Sequence, residues 1–231
     1  MEVHEHLVGR QMRRWEIDQR LHQRFERDTV IHGAGRDVIT ISRQWGSGGT
    51  NVASLVAREL DFRFYDKELI DHVAETAGID VAHVRQHDEH SPDVVSNLLL
   101  QLLEGHRPTE TTYLRTLVKV MKQISKQGKA VIVGRAATCI LQDSFRVRIL
   151  APEALRVARI AELHDMDLKT ARRKVLESDH ERYQFVRGRF GCDPSNPMGY
   201  DLVINTEHFT IEQAADIVIR AFRSREESGD K

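Results

Sequence analysis

A β-branched run that breaks into glycines and then into an amphipathic repeat constrains this chain more than any other stretch. Val38, Ile39, Thr40 and Ile41 have the composition of a buried strand. Gly46, Ser47, Gly48 and Gly49 follow, and then Val52, Leu55, Val56 and Leu60 recur at helical spacing beside Ala53 and Ala57. Strand, glycine turn and helix in that order predict a phosphate cradle. Glycines let backbone N–H groups approach a ligand closely, and the positive end of the helix dipole faces the same anion. Laid on the pattern G-x-x-x-x-G-K-[ST], the segment puts Arg43 at the first glycine, Gly48 at the second, Gly49 at the lysine and Thr50 at the hydroxyl. Two fixed positions of the pattern are therefore changed. A glycine turn that holds no ligand has the same local signature, so the rest of the chain has to decide.

Composition narrows the function classes. The chain has 231 residues, 40% hydrophobic and 30% charged, which fits one domain of moderate size or a domain plus an appendage. A net charge of −1 gives no bulk attraction to nucleic acid or to an anionic membrane. No apolar run approaches the length that spans a bilayer. The first residues, Met1-Glu2-Val3-His4-Glu5-His6, lack the charged start and apolar core of a signal peptide. Cys139 and Cys192 are too few for a disulfide framework, so a cytoplasmic protein with reduced thiols is expected.

Three regions are expected: a helical extension over residues 1–35, a main domain over 36–223 and a polar, frayed tail over 224–231. Residues 11–25 read as a helix with Val8, Met12 and Trp15 on one side and Ile17, Leu21 and Phe25 on the other. Such a helix is either docked on the domain surface or clamped in a homodimer. Its arginines alternate with Glu16, Asp18, Glu26 and Asp28, the pattern of a solvated charged face rather than a nucleic-acid site. His32-Gly33-Ala34-Gly35 reads as a hinge.

In the main domain, strands are expected at 38–41, 61–66, 130–133, 145–150 and 202–204. Helices are expected from 49 to 60, 67–76, 91–103, 109–127, 152–163, 167–177 and 211–222. His83, His87 and His90 fall near one helical face, yet a polar, exposed segment with no ligand-type carboxylate or cysteine set beyond Asp88 and Glu89 explains them better than a metal site. Strands alternating with helices predict a parallel sheet covered on both faces. A helical excursion interrupts it between 66 and 127, and an arginine-dense excursion follows near 156–190. Arg135 emerges beyond the end of the second long strand, on the side where such sheets bind ligands. Arg156 and Arg159 are expected to pair with Glu153 and Glu162 on their own helix.

Several blocks together resemble the cytidylate kinase-like family. They are Ile39-Thr40-Ile41-Ser42-Arg43-Gln44-Trp45-Gly46-Ser47-Gly48-Gly49, Phe64-Tyr65-Asp66-Lys67-Glu68-Leu69-Ile70, Val131-Ile132-Val133-Gly134-Arg135-Ala136, Asp179-His180-Glu181-Arg182, and Tyr200-Asp201-Leu202-Val203-Ile204-Asn205-Thr206. They run in consistent order over roughly residues 37–223. The resemblance implies a P-loop NTPase-type α/β/α fold with a helical acceptor-binding insertion and an arginine-rich lid. It also implies phosphoryl transfer from ATP, with Mg2+, to CMP or dCMP, a small-molecule nucleotide partner. The chain departs from the family pattern at three places. Arg43 replaces the first loop glycine, Gly49 replaces the loop lysine, and Ala136 replaces the carboxylate of a Gly-Arg-Asp triplet.

The chemistry needs positioning and positive charge more than covalent help. Gly46, Ser47, Gly48, Gly49 and Thr50 are candidates to cradle the ATP phosphates, and the Thr50 hydroxyl is the candidate magnesium ligand. Asp66, Lys67 and Arg135 are candidates for the acceptor. Arg135, Arg182 and Arg187 are candidate clamps, because a guanidinium fork matches phosphate oxygens. Arg43 is expected to stand exposed at the loop entrance, fold back over the loop and take the place of the missing lysine. Two alternatives stay open: a kinase of another small acceptor, and a nucleotide-binding sensor or partner module without catalysis.

Overall fold

The computed structural model describes residues 37–67 and 110–229. The extension over 1–35 with its suggested homodimer contact, the helices expected from 68 to 109 and the triplet His83, His87 and His90 lie outside the described residues.

Five parallel strands form one sheet in the order β2-β3-β1-β4-β5. They are β1 (Val38–Arg43), β2 (Arg63–Tyr65), β3 (Ala130–Val133), β4 (Phe145–Leu150) and β5 (Leu202–Asn205). β1 lies at the centre, with Ile39 opposite Val131 and Phe145 and Ile41 opposite Val133 and Val147. Burial on both faces explains why its sequence is a continuous apolar run rather than an alternation.

Alternate strand residues serve two separate cores. Ile39, Ile41, Val131 and Val133 pack with Val52 and Val56 of α1 (Gly49–Leu60) and with Val218 and Phe222 of α6 (Ile211–Gly229). Val38, Ala130 and Ile132 pack with Leu117 and Met121 of α2 (Glu110–Gln127) and with Ile140 of α3 (Ala137–Ile140). This is the three-layer α/β/α, P-loop-type arrangement that the strand–helix alternation and the resemblance imply. A third small core, made of Val157, Ile160, Ala171 and Val175, joins α4 (Glu153–Leu163) to α5 (Leu168–Phe190), and Trp45 of the glycine loop packs on it.

Three local expectations change. The short helix over 167–177 and the arginine-dense stretch after it are one 23-residue helix, α5, begun by Asp167 accepting from the Thr170 N–H at 2.9 Å and ended by Gly191 in the left-handed region. Its weak apolar periodicity hid its length, since only Ala171, Val175 and Phe190 are buried along it. The four-residue α3 had no sequence signal. The tail expected to fray from residue 224 continues α6 to Gly229, and Arg225 Nη2 donates to the Asp143 carbonyl at 2.7 Å.

Candidate active site

The glycine loop is shaped by what lies behind it. Gly46 and Gly48 hold φ of 79° and 78°, a region that L side chains rarely adopt. A Cβ on Gly46 would sit 2.8 Å from the Arg156 carbonyl oxygen, and one on Gly48 would sit 2.6 Å from Ile211 Cδ1. Both glycines therefore permit close approach of α4 and α6 to the loop. Gly48→Val acts by backbone strain and by displacing Ile211, not by filling the phosphate side. We expect it to cost about 2 kcal/mol, the scale of a strained left-handed residue. Thermal unfolding without ligand checks this, and an unchanged midpoint would contradict it.

Hydrogen bonds fix the loop from four directions. Ser47 Oγ donates to the Gln44 carbonyl at 2.8 Å, and Thr206 Oγ1, at the end of β5, donates to the Ser47 carbonyl at 2.8 Å. Arg159 Nη1 donates to the Gly46 carbonyl at 3.4 Å. Arg156 Nη1 donates to the Trp45 carbonyl at 3.2 Å and to Asp179 Oδ2 at 2.5 Å, while Asp179 Oδ1 accepts the Trp45 N–H at 3.2 Å. Arg156 thus pairs across to α5 and not with Glu153, whose carboxylate takes Arg172 instead. Arg159 reaches the loop backbone rather than only its own helix. Sequence spacing along α4 favours neighbours one turn away; the α4–α5 hairpin brings a better partner from 23 residues on.

Thr50 is exposed in the first turn of α1, whose N-cap is Gly48 and carries no side-chain cap. Its hydroxyl is thus not the capping group of that helix. The N–H groups of a first helical turn have no intrahelical acceptor, so Gly49, Thr50 and Asn51 present donors of the kind that phosphate oxygens take.

Beyond the carboxyl ends of β1 and β3 lies a cavity of about 340 Å³, lined by Arg43, Arg135, Arg148 and Arg182. Lys67, Tyr183 and Phe185 also line it. Arg43 is one of the residues lining it, with its guanidinium against Gly134 rather than at the loop entrance. A Cβ on Gly49 would come within 2.6 Å of Arg43 Cβ, and a Cβ on Gly134 would collide with the Arg43 guanidinium. The side chain therefore runs past Gly49 and ends over Gly134, instead of folding back over the loop. Burial first, then Arg182 and Arg135, push the Arg43 pKa down to about 10, and only Asp66 opposes them. Arg182 is also lowered, by burial first and partly offset by Asp179, and its Nη1 donates to the Arg43 carbonyl at 3.4 Å.

Arg135 sits at the tip of an unusual turn. Gly134, Arg135 and Ala136 have φ of 82°, 49° and 57°, three left-handed residues in succession. That conformation costs on the order of 1–3 kcal/mol for a side-chain-bearing residue and is found mainly where a site requires it. The Arg135 guanidinium lies 5.1 Å from the centre of the Phe185 ring on α5. Ala136 is buried in the cavity wall and offers no carboxylate.

Arg148 of β4 escaped sequence reasoning. It donates to Ser42 Oγ at 2.5 Å, its register neighbour on β1, and its guanidinium lies 5.8 Å from the Tyr200 ring centre. The available signal was the Phe-Arg-Val-Arg-Ile-Leu alternation, which puts Arg146 and Arg148 on the half-buried side of the strand. Arg187, in contrast, is exposed on α5, donates to Tyr183 Oη at 3.0 Å and does not line the cavity. Asp66 is outside the lining, within electrostatic reach of Arg43.

What this arrangement favours is an anion. Mutually repelling guanidiniums held together in a partly closed cavity gain most when an oxyanion enters. A planar fork on each also suits phosphate better than a point charge does. Among the described residues, no cluster of three or more metal-ligating side chains exists and no helix is long and apolar enough to cross a membrane.

The chain is similar to known proteins over most of its length. The cytidylate kinase of Archaeoglobus fulgidus is 26% identical over 187 residues, covering 79% of this chain and 93% of that protein. The cytidylate kinase of Methanopyrus kandleri is 23% identical over 193 residues, covering 78% and 90%. An uncharacterized protein from Eubacterium ventriosum shares the fold, with a TM-score of 0.62 at 22% identity and coverage of 81% and 98%. A profile of the cytidylate kinase-like family matches residues 38–208, which include the glycine loop, the Arg135 turn and the arginines of α5; the chain belongs to the cytidylate kinase-like family.

Proposed function

We propose that this protein is a nucleoside monophosphate kinase that moves a phosphoryl group from ATP to CMP or dCMP in the presence of Mg2+. The observation that carries the reading is the convergence of Arg43, Arg135, Arg148 and Arg182 on one cavity beside the glycine loop. Donor phosphates rest on the first-turn N–H groups of α1. The Thr50 hydroxyl, exposed at that turn, is the group this chain offers to magnesium, which supplies charge neutralisation when bound. Arg135 and Arg182 hold the acceptor phosphate, and Arg43, between loop and Gly134, faces the phosphoryl group in flight. Lys67 and Asp66 follow β2 and serve the acceptor side. Arg187 is placed on the lid helix, outside the cavity, where closure of the lid is what brings it near a nucleotide.

Ala136 favours a second reading of the acceptor. Its methyl group gives the cavity wall no acceptor for an exocyclic amine. Discrimination that depends on a buried polar contact is lost when the contact is lost, so a broader set of monophosphates is accepted. ADP release coupled to a reporter, measured over CMP, dCMP, UMP, AMP and GMP, tests both readings. Turnover on CMP and dCMP supports the first, and comparable turnover on UMP supports relaxed base choice. No turnover on any of them, with ATP bound, would leave nucleotide binding without catalysis.

Arg148 adds a checkable detail. Arg148→Met keeps the stem and removes the charge. It is expected to raise the acceptor KM by about tenfold or more, the scale of one charged hydrogen bond, with the fold unchanged by circular dichroism. An unchanged KM would confine Arg148 to bridging β1 and β4.

A further inference from the structure

Cys139 and Cys192 are 53 residues apart and are brought together at the junction of α3 and the carboxyl end of α5. Both pack on the core that includes Ala136, Ile140 and Phe190, and their side chains hydrogen-bond each other. Neither is in a disulfide. Cys139 lies four residues beyond Arg135. Cys192 follows Gly191, which ends the helix carrying Asp179, Arg182 and Phe185. The two thiols therefore join two elements that both line the cavity.

We infer that Cys139 and Cys192 are an oxidisable dithiol, a modification site whose disulfide fastens the end of α5 to α3 beside the arginine cavity. The contact with Cys192, then burial, pushes the Cys139 thiol well above the usual range. Cys139 is thereby held as the thiol, and in this scheme Cys192 reacts first. A peroxide is the oxidant class. The Cys192 thiolate attacks one peroxide oxygen, the O–O bond breaks, and Cys192 sulfenic acid forms as hydroxide leaves. Cys139 sulfur then displaces the sulfenic oxygen. Its proton and the leaving hydroxide make water, and one S–S bond joins the two residues. In sum, two thiols and one hydrogen peroxide become one disulfide and two waters. Disulfides in reducing compartments are transient and sensory rather than structural, which matches a pair that joins α3 to the residue just past the end of α5.

The test uses the full chain and hydrogen peroxide. Both thiols should be lost together to alkylation. The intact mass should fall by two hydrogens, and digestion should give a linked peptide pair containing Cys139 and Cys192 that dithiothreitol separates. Amide exchange at the carboxyl end of α5 should slow in the oxidised protein and recover on reduction. Cys139→Ser should instead leave Cys192 to gain oxygen without a link. That variant does not touch the arginine cluster, so it should retain unoxidised wild-type nucleotide turnover. Thiols that stay alkylatable under peroxide, conversion of Cys192 to sulfinic acid in the wild type, or links only between molecules would each overturn the pair. Mass and exchange do not depend on the kinase reading, so its failure would leave this result standing.

Discussion

Arg43→Ala is expected to lower turnover by about a hundredfold or more, the scale seen when one preorganised charge donor is removed from a transition state. The expectation comes from space as much as from charge. Gly49 stands where the phosphate-loop pattern has lysine, and Arg43 stands where it has glycine. A Cβ at 49 would meet Arg43 Cβ at 2.6 Å and Ile149 Cβ at 3.1 Å. One site holds one large side chain, and bulk and cation have been exchanged between the two positions. Stability should not fall with activity. The Arg43 pKa is held down to about 10 by burial and by Arg182 and Arg135. A base whose pKa is lowered in the folded state opposes folding while it is charged, and that cost fades only as pH rises through the lowered value. At neutral pH its removal relieves repulsion, so the unliganded variant should unfold at the same temperature or a higher one. A large drop in the unfolding midpoint would show that Arg43 is structural.

Asp179→Ala is expected to cost about 3 kcal/mol, because breaking a buried pair leaves its partner charge uncompensated. Arg156 is 4% exposed, and its Nη1 sits 2.5 Å from Asp179 Oδ2. The same carboxylate accepts the Trp45 N–H, so the variant also unties the glycine loop from α5. For a chain of this size the unfolding midpoint should drop by about 6–12 °C. Arg156→Met with Asp179→Ala should recover part of that loss, since a matched apolar replacement removes the stranded charge. A midpoint within a degree or two of wild type in the single variant would show that the pair is solvated and holds little.

Much of the architecture was legible because its signals are local. The apolar run of β1, the Gly128 stop after α2 and the Pro152 start of α4 each depend on neighbours in sequence. Gly128 takes φ of 66° and donates to the Ile124 and Ser125 carbonyls, as a helix-ending glycine does. The cavity was legible to the extent that strand ends point to it, which is how Arg135 was expected beside it. Arg148 was hidden because only the neighbouring strand, through Ser42, shows where it emerges. The Arg156–Asp179 pair was hidden because helix spacing offered Glu153, and only the α4–α5 hairpin supplies Asp179. Thr206 was hidden because its role, holding the Ser47 carbonyl, joins the last strand to the first loop across 159 residues.

The exchange between positions 43 and 49 can be reversed. Turnover of wild type, Gly49→Lys, Arg43→Gly and the double variant, with ATP and CMP at saturation, tests most directly whether Arg43 is the working cation. Gly49→Lys alone should lose activity, because its side chain has no room beside Arg43. Arg43→Gly alone should fall about as far as Arg43→Ala. The double variant should exceed both singles, since space and charge are then restored together. Higher turnover in Gly49→Lys than in wild type, or a double variant no better than Arg43→Gly, would contradict the role given to Arg43.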